Sequence, residues 1–223
     1  MRYKNMGYNV AVDGPAGAGK STIAKLVAKK KGYIYVDTGA LYRGLAVHFL
    51  NFGIKAEEMD RIVEACQDAE VTLGYQGAVQ QVYLNGKNIT EQLRTEEVGN
   101  MASVISAIPA VRMKLLELQQ ELAAAKDVIM DGRDIGTNIL PNADVKIYLT
   151  ANVETRARRR FDELQEKGVE CNYEDIAKDI EDRDYRDMHR AIAPLKKADD
   201  AYLIDSSDMS IDEVVAQIAG CCE

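Results

Sequence analysis

A glycine-rich segment near the start of the chain carries the clearest chemical signal. Residues 14–21 read Gly-Pro-Ala-Gly-Ala-Gly-Lys-Ser, which fits the spacing Gly-x-x-x-x-Gly-Lys-Ser/Thr. In such a loop, glycines allow successive backbone N–H groups to point at phosphate oxygens, and a following helix N-terminus adds partial positive charge. Lys20 is predicted to contact the outer phosphates of a nucleotide, and the Ser21 hydroxyl to bind a magnesium ion. The alternative is a glycine-rich turn that happens to contain a lysine.

The flanking elements favour the phosphate site. Residues 8–13 are typical of a buried strand, and Ile23, Ala24 and Val27 recur at helical spacing. A strand, a glycine-rich loop and a helix in this order are the context that the motif requires. The predicted nucleotide-binding residues of this segment are Gly14, Pro15, Ala16, Gly17, Ala18, Gly19, Lys20, Ser21 and Thr22.

Arginines are concentrated in two later predicted helices. The first begins at Asn152, ends at Gly168 and contains four arginines, namely Arg156, Arg158, Arg159 and Arg160. Phosphoryl transfer depends on positioning and on neutralising charge, so arginines on a mobile lid would suit a kinase. Arg159 is the predicted nucleotide-binding residue of this lid, with Arg156 and Arg160 as the other candidates.

The second arginine-rich helix begins near Asn172 and is predicted to end at Pro194. Its apolar stripe continues as Arg183, Asp187 and Arg190. We expect this charged part to face a cleft. The alternative is a solvated helix held by intrahelical ion pairs.

A second phosphate group would need its own cations. Arg43, Arg133 and Arg190 are candidates, because the forked guanidinium group matches a phosphate bidentately. No strong general base is required when the acceptor phosphate is itself the nucleophile. The predicted catalytic residues are therefore those that stabilise charge, Lys20, Arg133 and Arg190. A GTPase would need no such second site, and the sequence lacks its Asn/Thr-Lys-x-Asp signature.

The elements that position these residues alternate between strands and helices. Further short apolar runs at 33–36, 128–131, 145–149 and 202–205 predict an α/β fold, a doubly wound parallel sheet of about five strands. Between roughly 65 and 90 the pattern changes to short alternating strands with an Asn85-Gly86 turn, which predicts a small antiparallel insert. A lid, a partner surface and plain decoration are all open for its role.

Composition narrows the class of protein. The chain has 223 residues and a net charge of −8, which argues against broad nucleic-acid binding. It contains no apolar run of membrane-spanning length, and its four cysteines match neither a metal-ligand spacing nor a disulfide framework. We expect a monomer in the cytoplasm that binds neither nucleic acid nor membranes. His48 lies on a helical stripe and is expected to be a packed residue.

Several segments resemble bacterial cytidylate kinases. They are residues 37–43, 94–98, 102–103, 109–112, 131–137 and 183–195. The resemblance covers nearly the whole chain and implies ATP-dependent phosphorylation of CMP and dCMP with magnesium. It places acceptor-phosphate contacts at Thr38, Arg43, Arg133 and Arg190. It places base contacts at Ser103, Arg112 and Asp134, and sugar contacts at Arg183 and Asp187. The family often has serine where Thr38 stands, and the hydroxyl is kept.

The base contacts fit cytosine chemically. A carboxylate at Asp134 would accept from the exocyclic amine, while Arg112 and Ser103 would donate to N3 and O2. Spacing alone leaves Arg112 open between a ligand-facing residue and a solvated surface arginine. It also leaves Asp37 open between orienting a metal-bound water and capping a helix.

We expect one kinase domain over residues 1–223. Its core would comprise 1–40, 110–150 and 195–223, with an acceptor-binding region at about 41–109 and a lid at about 152–192. Two rival functions are a kinase for another acceptor, such as UMP or a small metabolite, and a nucleotide switch without catalysis.

Overall fold

The computed structural model describes residues 7–77 and 79–222. The strands are β1 (Asn9–Asp13), β2 (Ile34–Asp37), β3 (Val71–Gln76), β4 (Val79–Leu84), β5 (Lys87–Asn88), β6 (Val128–Gly132), β7 (Val145–Thr150) and β8 (Tyr202–Asp205). The helices are α1 (Lys20–Lys31), α2 (Thr38–Asn51), α3 (Met59–Gln67), α4 (Glu96–Ile105), α5 (Pro109–Ala125), α6 (Val153–Glu166), α7 (Tyr173–His189) and α8 (Ile211–Cys221).

The main sheet is parallel and has five strands in the order β2-β6-β1-β7-β8. Its central strands are apolar runs, and β6 is buried along its whole length. Val10 lies opposite Val145 and Ile147 opposite Tyr202, so β1, β7 and β8 run side by side in the same direction. The α/β fold predicted from the alternation of strands and helices is confirmed.

The chain divides into two compact units. The first comprises residue 7 and the described residues 34–77 and 79–128, and the second comprises residues 8–33 and 129–222. Among the helices of the described residues, none combines the length and the apolar composition needed to cross a bilayer.

The first unit is built around α2. Leu41, Leu45 and Phe49 are fully buried on this helix, and burying each such side chain is worth about 1.5–3 kcal/mol. His48 is also buried, and its Nε2 lies 3.1 Å from the Ala65 carbonyl oxygen, so the prediction of a packed histidine is confirmed. The helix starts directly after β2, and Asp37 caps its first turn.

The antiparallel insert is also confirmed and forms a separate sheet in the first unit. The strands lie in the order β3-β4-β5. Asn85 and Gly86 form the predicted turn, with φ of 49° and 78°. Positive φ at both positions matches the twist of an antiparallel hairpin.

In the second unit, α1 packs against α8, and α6 packs against α7. The predicted boundary of α7 at Pro194 is wrong, because the helix ends at His189. Arg190 takes an extended backbone conformation, with φ −62° and ψ 141°. The N–H of Leu195 then bonds to the carbonyl oxygen of Asp187 at 2.8 Å, so the segment after the helix folds back along it.

Candidate functional site

The phosphate loop lies between β1 and α1 in the second unit. Gly14 begins it with φ +149°, and a Cβ at this position would lie 1.9 Å from the backbone oxygen of Leu149. Only glycine fits so close to the neighbouring strand. Gly19 ends the loop in the left-handed region, with φ 84°, directly before the first residue of α1. The loop therefore delivers Lys20 to the start of the helix, as the motif predicts.

Lys20 is almost completely buried, with 6% of its surface exposed. Its ammonium group donates to the Pro15 carbonyl oxygen at 2.6 Å, across the base of the loop. Burial and then the nearby Arg133 lower the pKa of Lys20 well below its ordinary value, while Asp131 and Asp13 oppose this shift. A buried lysine at a helix N-terminus is a group that gains from an anionic ligand.

Two buried carboxylates stand at the ends of strands beside the loop. The hydroxyl of Ser21 donates to Oδ2 of Asp131 at 2.7 Å, at the end of β6. Asp13, at the end of β1, accepts from the backbone N–H groups of Ile135 and Gly136, both at 2.8 Å. Burial raises the pKa of Asp13 to about 6.

Asp13 and Asp131 are not among the site residues predicted from the sequence. The available signal was an acidic residue at the carboxyl end of an apolar run, where parallel sheets bind ligands.

Two arginine–carboxylate pairs join four of the predicted substrate residues. Nε of Arg133 lies 2.8 Å from Oδ2 of Asp187, and Nη2 of Arg190 lies 3.0 Å from Oδ1 of Asp134. Burial opposes ionisation of Asp187, yet Arg133 holds the pKa of that carboxyl below its ordinary value. Both carboxylates and Arg190 are nearly inaccessible, with side-chain exposures of 8% or less. The structure therefore brings these residues of the second unit together.

The two buried aspartates of α7, Asp184 and Asp187, form ion pairs with arginines outside this helix. Besides Asp187, the helix contributes Asp184, which pairs with Arg156 of α6 at 2.6 Å. Arg183 is half-buried on α7 and acts electrostatically on both Lys20 and Asp187. The alternative of a solvated helix with intrahelical pairs is thus wrong for Asp184 and Asp187.

The three lid candidates differ in their surroundings. Arg156 is buried and donates to the Ala16 carbonyl oxygen at 2.9 Å, which joins α6 to the phosphate loop. Arg159 is half-buried and donates to the Ser206 carbonyl oxygen at 2.7 Å. Arg160 is exposed and pairs with Glu163 at 2.8 Å. Arg156 therefore makes structural contacts within the second unit, and Arg160 lies on the surface of α6.

The first unit presents Thr38 and Arg43 on the opening turns of α2. Thr38 is buried as the first residue of the helix. Asp37 accepts from the Ala40 N–H through Oδ1 and from Nη2 of Arg43 through Oδ2, both at 2.9 Å. The capping role left open for Asp37 is confirmed, and the same carboxylate orients Arg43.

Arg112, also in the first unit, is buried with 8% of its surface exposed. Nη1 donates to the Ser106 carbonyl oxygen at 3.1 Å, and the guanidinium carbon lies 5.9 Å from the ring centre of Tyr42. The alternative of a solvated surface arginine is therefore wrong. Ser103 is half-buried on α4, and its carbonyl oxygen accepts from the Ser106 hydroxyl at 2.8 Å.

Two comparisons with known sequences agree on one family. The family model described as Cytidylate kinase matches residues 10–223. The cytidylate kinase of Caldicellulosiruptor saccharolyticus is 50% identical over 210 residues, covering 94% of this chain and 93% of that protein. The cytidylate kinase of Lactobacillus johnsonii is 47% identical over 220 residues, covering 98% and 96%. An uncharacterized protein from Eubacterium ventriosum shares the fold, with a TM-score of 0.50, 13% identity and 96% of each chain covered.

Proposed function

Because the chain belongs to the cytidylate kinase family, we propose that it transfers the γ-phosphoryl group of ATP to CMP or dCMP, giving CDP or dCDP and ADP. One observation carries the chemistry. The buried Lys20 of the phosphate loop shares the second unit with two arginine–carboxylate pairs whose carboxylates are buried. A donor phosphate site and acceptor cations in one unit are what a kinase needs and what a nucleotide switch would not use.

The donor nucleotide binds through the phosphate loop. Residues 14–22 direct backbone N–H groups and the start of α1 at its phosphates, and Lys20 adds a point charge. Arg159 of α6 contributes from the lid. The depressed pKa of Lys20 favours this role, because a nucleotide phosphate would stabilise the ammonium form that burial disfavours.

The acceptor binds through arginines that are already oriented. Arg133 and Arg190 each lie against a carboxylate, and Arg43 lies against Asp37, so each guanidinium group is held in one direction before the ligand arrives. Thr38 adds a hydroxyl. The base is read by Ser103, Arg112 and Asp134, and the sugar by Arg183 and Asp187.

Ser21 and Asp131 would hold a magnesium ion. A hydroxyl oxygen and a carboxylate oxygen 2.7 Å apart are the hard ligands that this ion prefers. When bound, the ion neutralises phosphate charge and orients the transferred group.

No side chain has to remove a proton in this reaction. The acceptor phosphate attacks the γ-phosphorus, while Lys20, Arg133 and Arg190 stabilise the charge that develops on the transferred oxygens. The core at 1–40, 110–150 and 195–223 and the acceptor region at about 41–109 stay predictions from the sequence. The lid at about 152–192 closes over the nucleotides and excludes water. A monomer in the cytoplasm stays a prediction from the sequence.

The deciding experiment measures ADP release from ATP with CMP, dCMP, UMP and unrelated small metabolites as acceptors. CMP and dCMP should give the highest kcat/KM. Lys20→Met should lower kcat by about 100-fold or more, because it removes a preorganised charge. Tight ATP binding without acceptor-dependent turnover would favour a switch, and preference for another acceptor would replace the proposed substrate.

A further inference from the structure

A side-chain amide of the antiparallel insert bonds to Asp37, the last residue of β2. The N–H of Asp37 donates to Oε1 of Gln80 at 2.9 Å. Nε2 of Gln80 donates back to the carbonyl oxygen of Asp37 at 3.3 Å. The Gln80 amide thus bonds both the N–H and the carbonyl oxygen of Asp37, as the backbone of a neighbouring strand would. These two bonds fix the orientation of that peptide segment.

A second side chain of the insert binds the same strand. Tyr75 lies directly opposite Gln80 in the β3–β4 pairing, so both side chains are on one face of the insert sheet. The Tyr75 hydroxyl donates to the carbonyl oxygen of Tyr35 at 3.2 Å, and burial raises its pKa to about 12. Tyr35 and Asp37 are two residues apart on β2, so their backbone groups point to the same side of the strand.

The residue that Gln80 fixes is the N-cap of α2. The side chain of Asp37 accepts from the Ala40 N–H and orients Arg43, and Thr38 follows it immediately. The backbone position of Asp37 therefore sets the direction of the first turn of α2 and of the guanidinium group on its second turn.

We propose that Gln80 is a positioning residue for the acceptor site, and that the insert holds the start of α2 in its binding geometry. The inference rests on the proposed function, in which Thr38 and Arg43 bind the acceptor phosphate. In this role Gln80 acts through Asp37 and not by contact with the acceptor. It lowers the cost of binding by ordering the turn beforehand.

The test compares two neighbouring glutamines of β4. Gln80→Met keeps the length and volume of the side chain but removes both hydrogen bonds. Gln81→Met is the matched control, because Gln81 is equally half-buried and its Oε1 accepts within the insert, from Asn88 Nδ2 at 3.1 Å. Steady-state kinetics with CMP and ATP and melting temperatures are measured for both variants and the wild type.

Gln80→Met should raise KM for CMP about tenfold, because it removes the two hydrogen bonds that order the acceptor site before CMP binds. The kcat and the KM for ATP should stay within about twofold of wild type, because these bonds do not act on the donor site or on the chemical step. Gln81→Met should leave all three constants within about twofold. If Gln80→Met fails to fold, Tyr75→Phe removes only the hydroxyl bond and should raise KM for CMP about threefold.

Two negative results have different meanings. An unchanged KM for CMP in Gln80→Met, or equal rises in KM for CMP and ATP, would overturn the positioning role while the kinase activity stands. A wild-type protein that does not phosphorylate CMP at all would overturn the proposed function itself.

Discussion

Replacing Asp134 by asparagine should weaken discrimination between CMP and UMP. The Asp134 carboxylate is buried after β6, with 4% of the residue exposed. Oδ1 accepts from Nη2 of Arg190 at 3.0 Å, and Oδ2 accepts from Nδ2 of Asn138 at 3.2 Å. Asparagine keeps the shape of the side chain while it removes the charge and exchanges one acceptor oxygen for a donor.

The size of the effect follows from the two bases. A hydrogen bond from the cytosine amine to a carboxylate is worth about 1.5–3 kcal/mol, or about 10- to 150-fold in kcat/KM. Uracil has a carbonyl oxygen in place of that amine, so a carboxylate faces its lone pairs, whereas the asparagine amide donates to it. CMP should lose and UMP should gain, and we expect the CMP/UMP ratio of kcat/KM to fall by about 100-fold.

The contact with Arg190 makes the ratio the right quantity to measure. Asp134→Asn also weakens the carboxylate that orients this arginine, and poorer binding of the acceptor phosphate will lower activity. That phosphate is common to CMP and UMP, so the loss through Arg190 divides out. The ratio then reports the contact with the base alone.

The assay is ADP release at saturating ATP with each acceptor in turn. Asn138→Ala is the control, because it removes a neutral donor to the same carboxylate and leaves the charge in place. It should change the ratio by less than about threefold. If Asp134→Asn lowers both activities equally and the ratio stays constant, the carboxylate only orients Arg190 and does not read the base.

Two further predictions concern other buried carboxylates of the second unit. Burial raises the folded-state pKa of Asp13 from 3.8 to about 6, so the folded protein keeps a proton that the unfolded chain releases. From about pH 4 to pH 6 the wild type should therefore lose about 2 kcal/mol of unfolding free energy relative to Asp13→Asn in urea denaturation, and parallel profiles would contradict this. Asp184→Asn leaves Arg156 as an unpaired buried charge and should cost about 3 kcal/mol or more, whereas Arg160→Gln at an exposed pair should cost under about 1 kcal/mol. Calorimetric melting compares the two, and equal losses would refute the difference.

The phosphate loop was predictable because its information is local. The spacing of glycines before Lys20 and Ser21 specifies a backbone path, and Gly14 shows why, since a Cβ there would meet Leu149. The strand–helix alternation and the Asn85-Gly86 turn are also short-range signals, so the main sheet and the insert were predicted. The end of α7 was not, because Arg190 leaves the helix to reach Asp134, a partner far away in sequence.

The surroundings of single charged residues depend on such long-range contacts. Helical spacing put Arg112 off the apolar stripe of α5, which suits a surface residue and a ligand contact equally. The aromatic ring of Tyr42, on a different helix, covers it in the folded unit. Asp184 likewise lies among charges on α7, and only the position of α6 shows that it pairs with Arg156. Periodicity describes one helix and carries no information about its neighbours.

Each arginine proposed to bind the acceptor phosphate has an aspartate beside it within its own unit. The pairs are Arg43–Asp37, Arg133–Asp187 and Arg190–Asp134. A chain with a net charge of −8 can therefore hold phosphate sites without a broad positive surface. The carboxylates cancel much of the long-range field, so attraction of the phosphate depends on short-range, directed hydrogen bonds from guanidinium groups held in place. Such a site selects by geometry. A nucleotide whose phosphate and base both fit forms all the hydrogen bonds of the site. A polyanion of the wrong shape forms few of them and is not attracted by arginines that are already paired with aspartates.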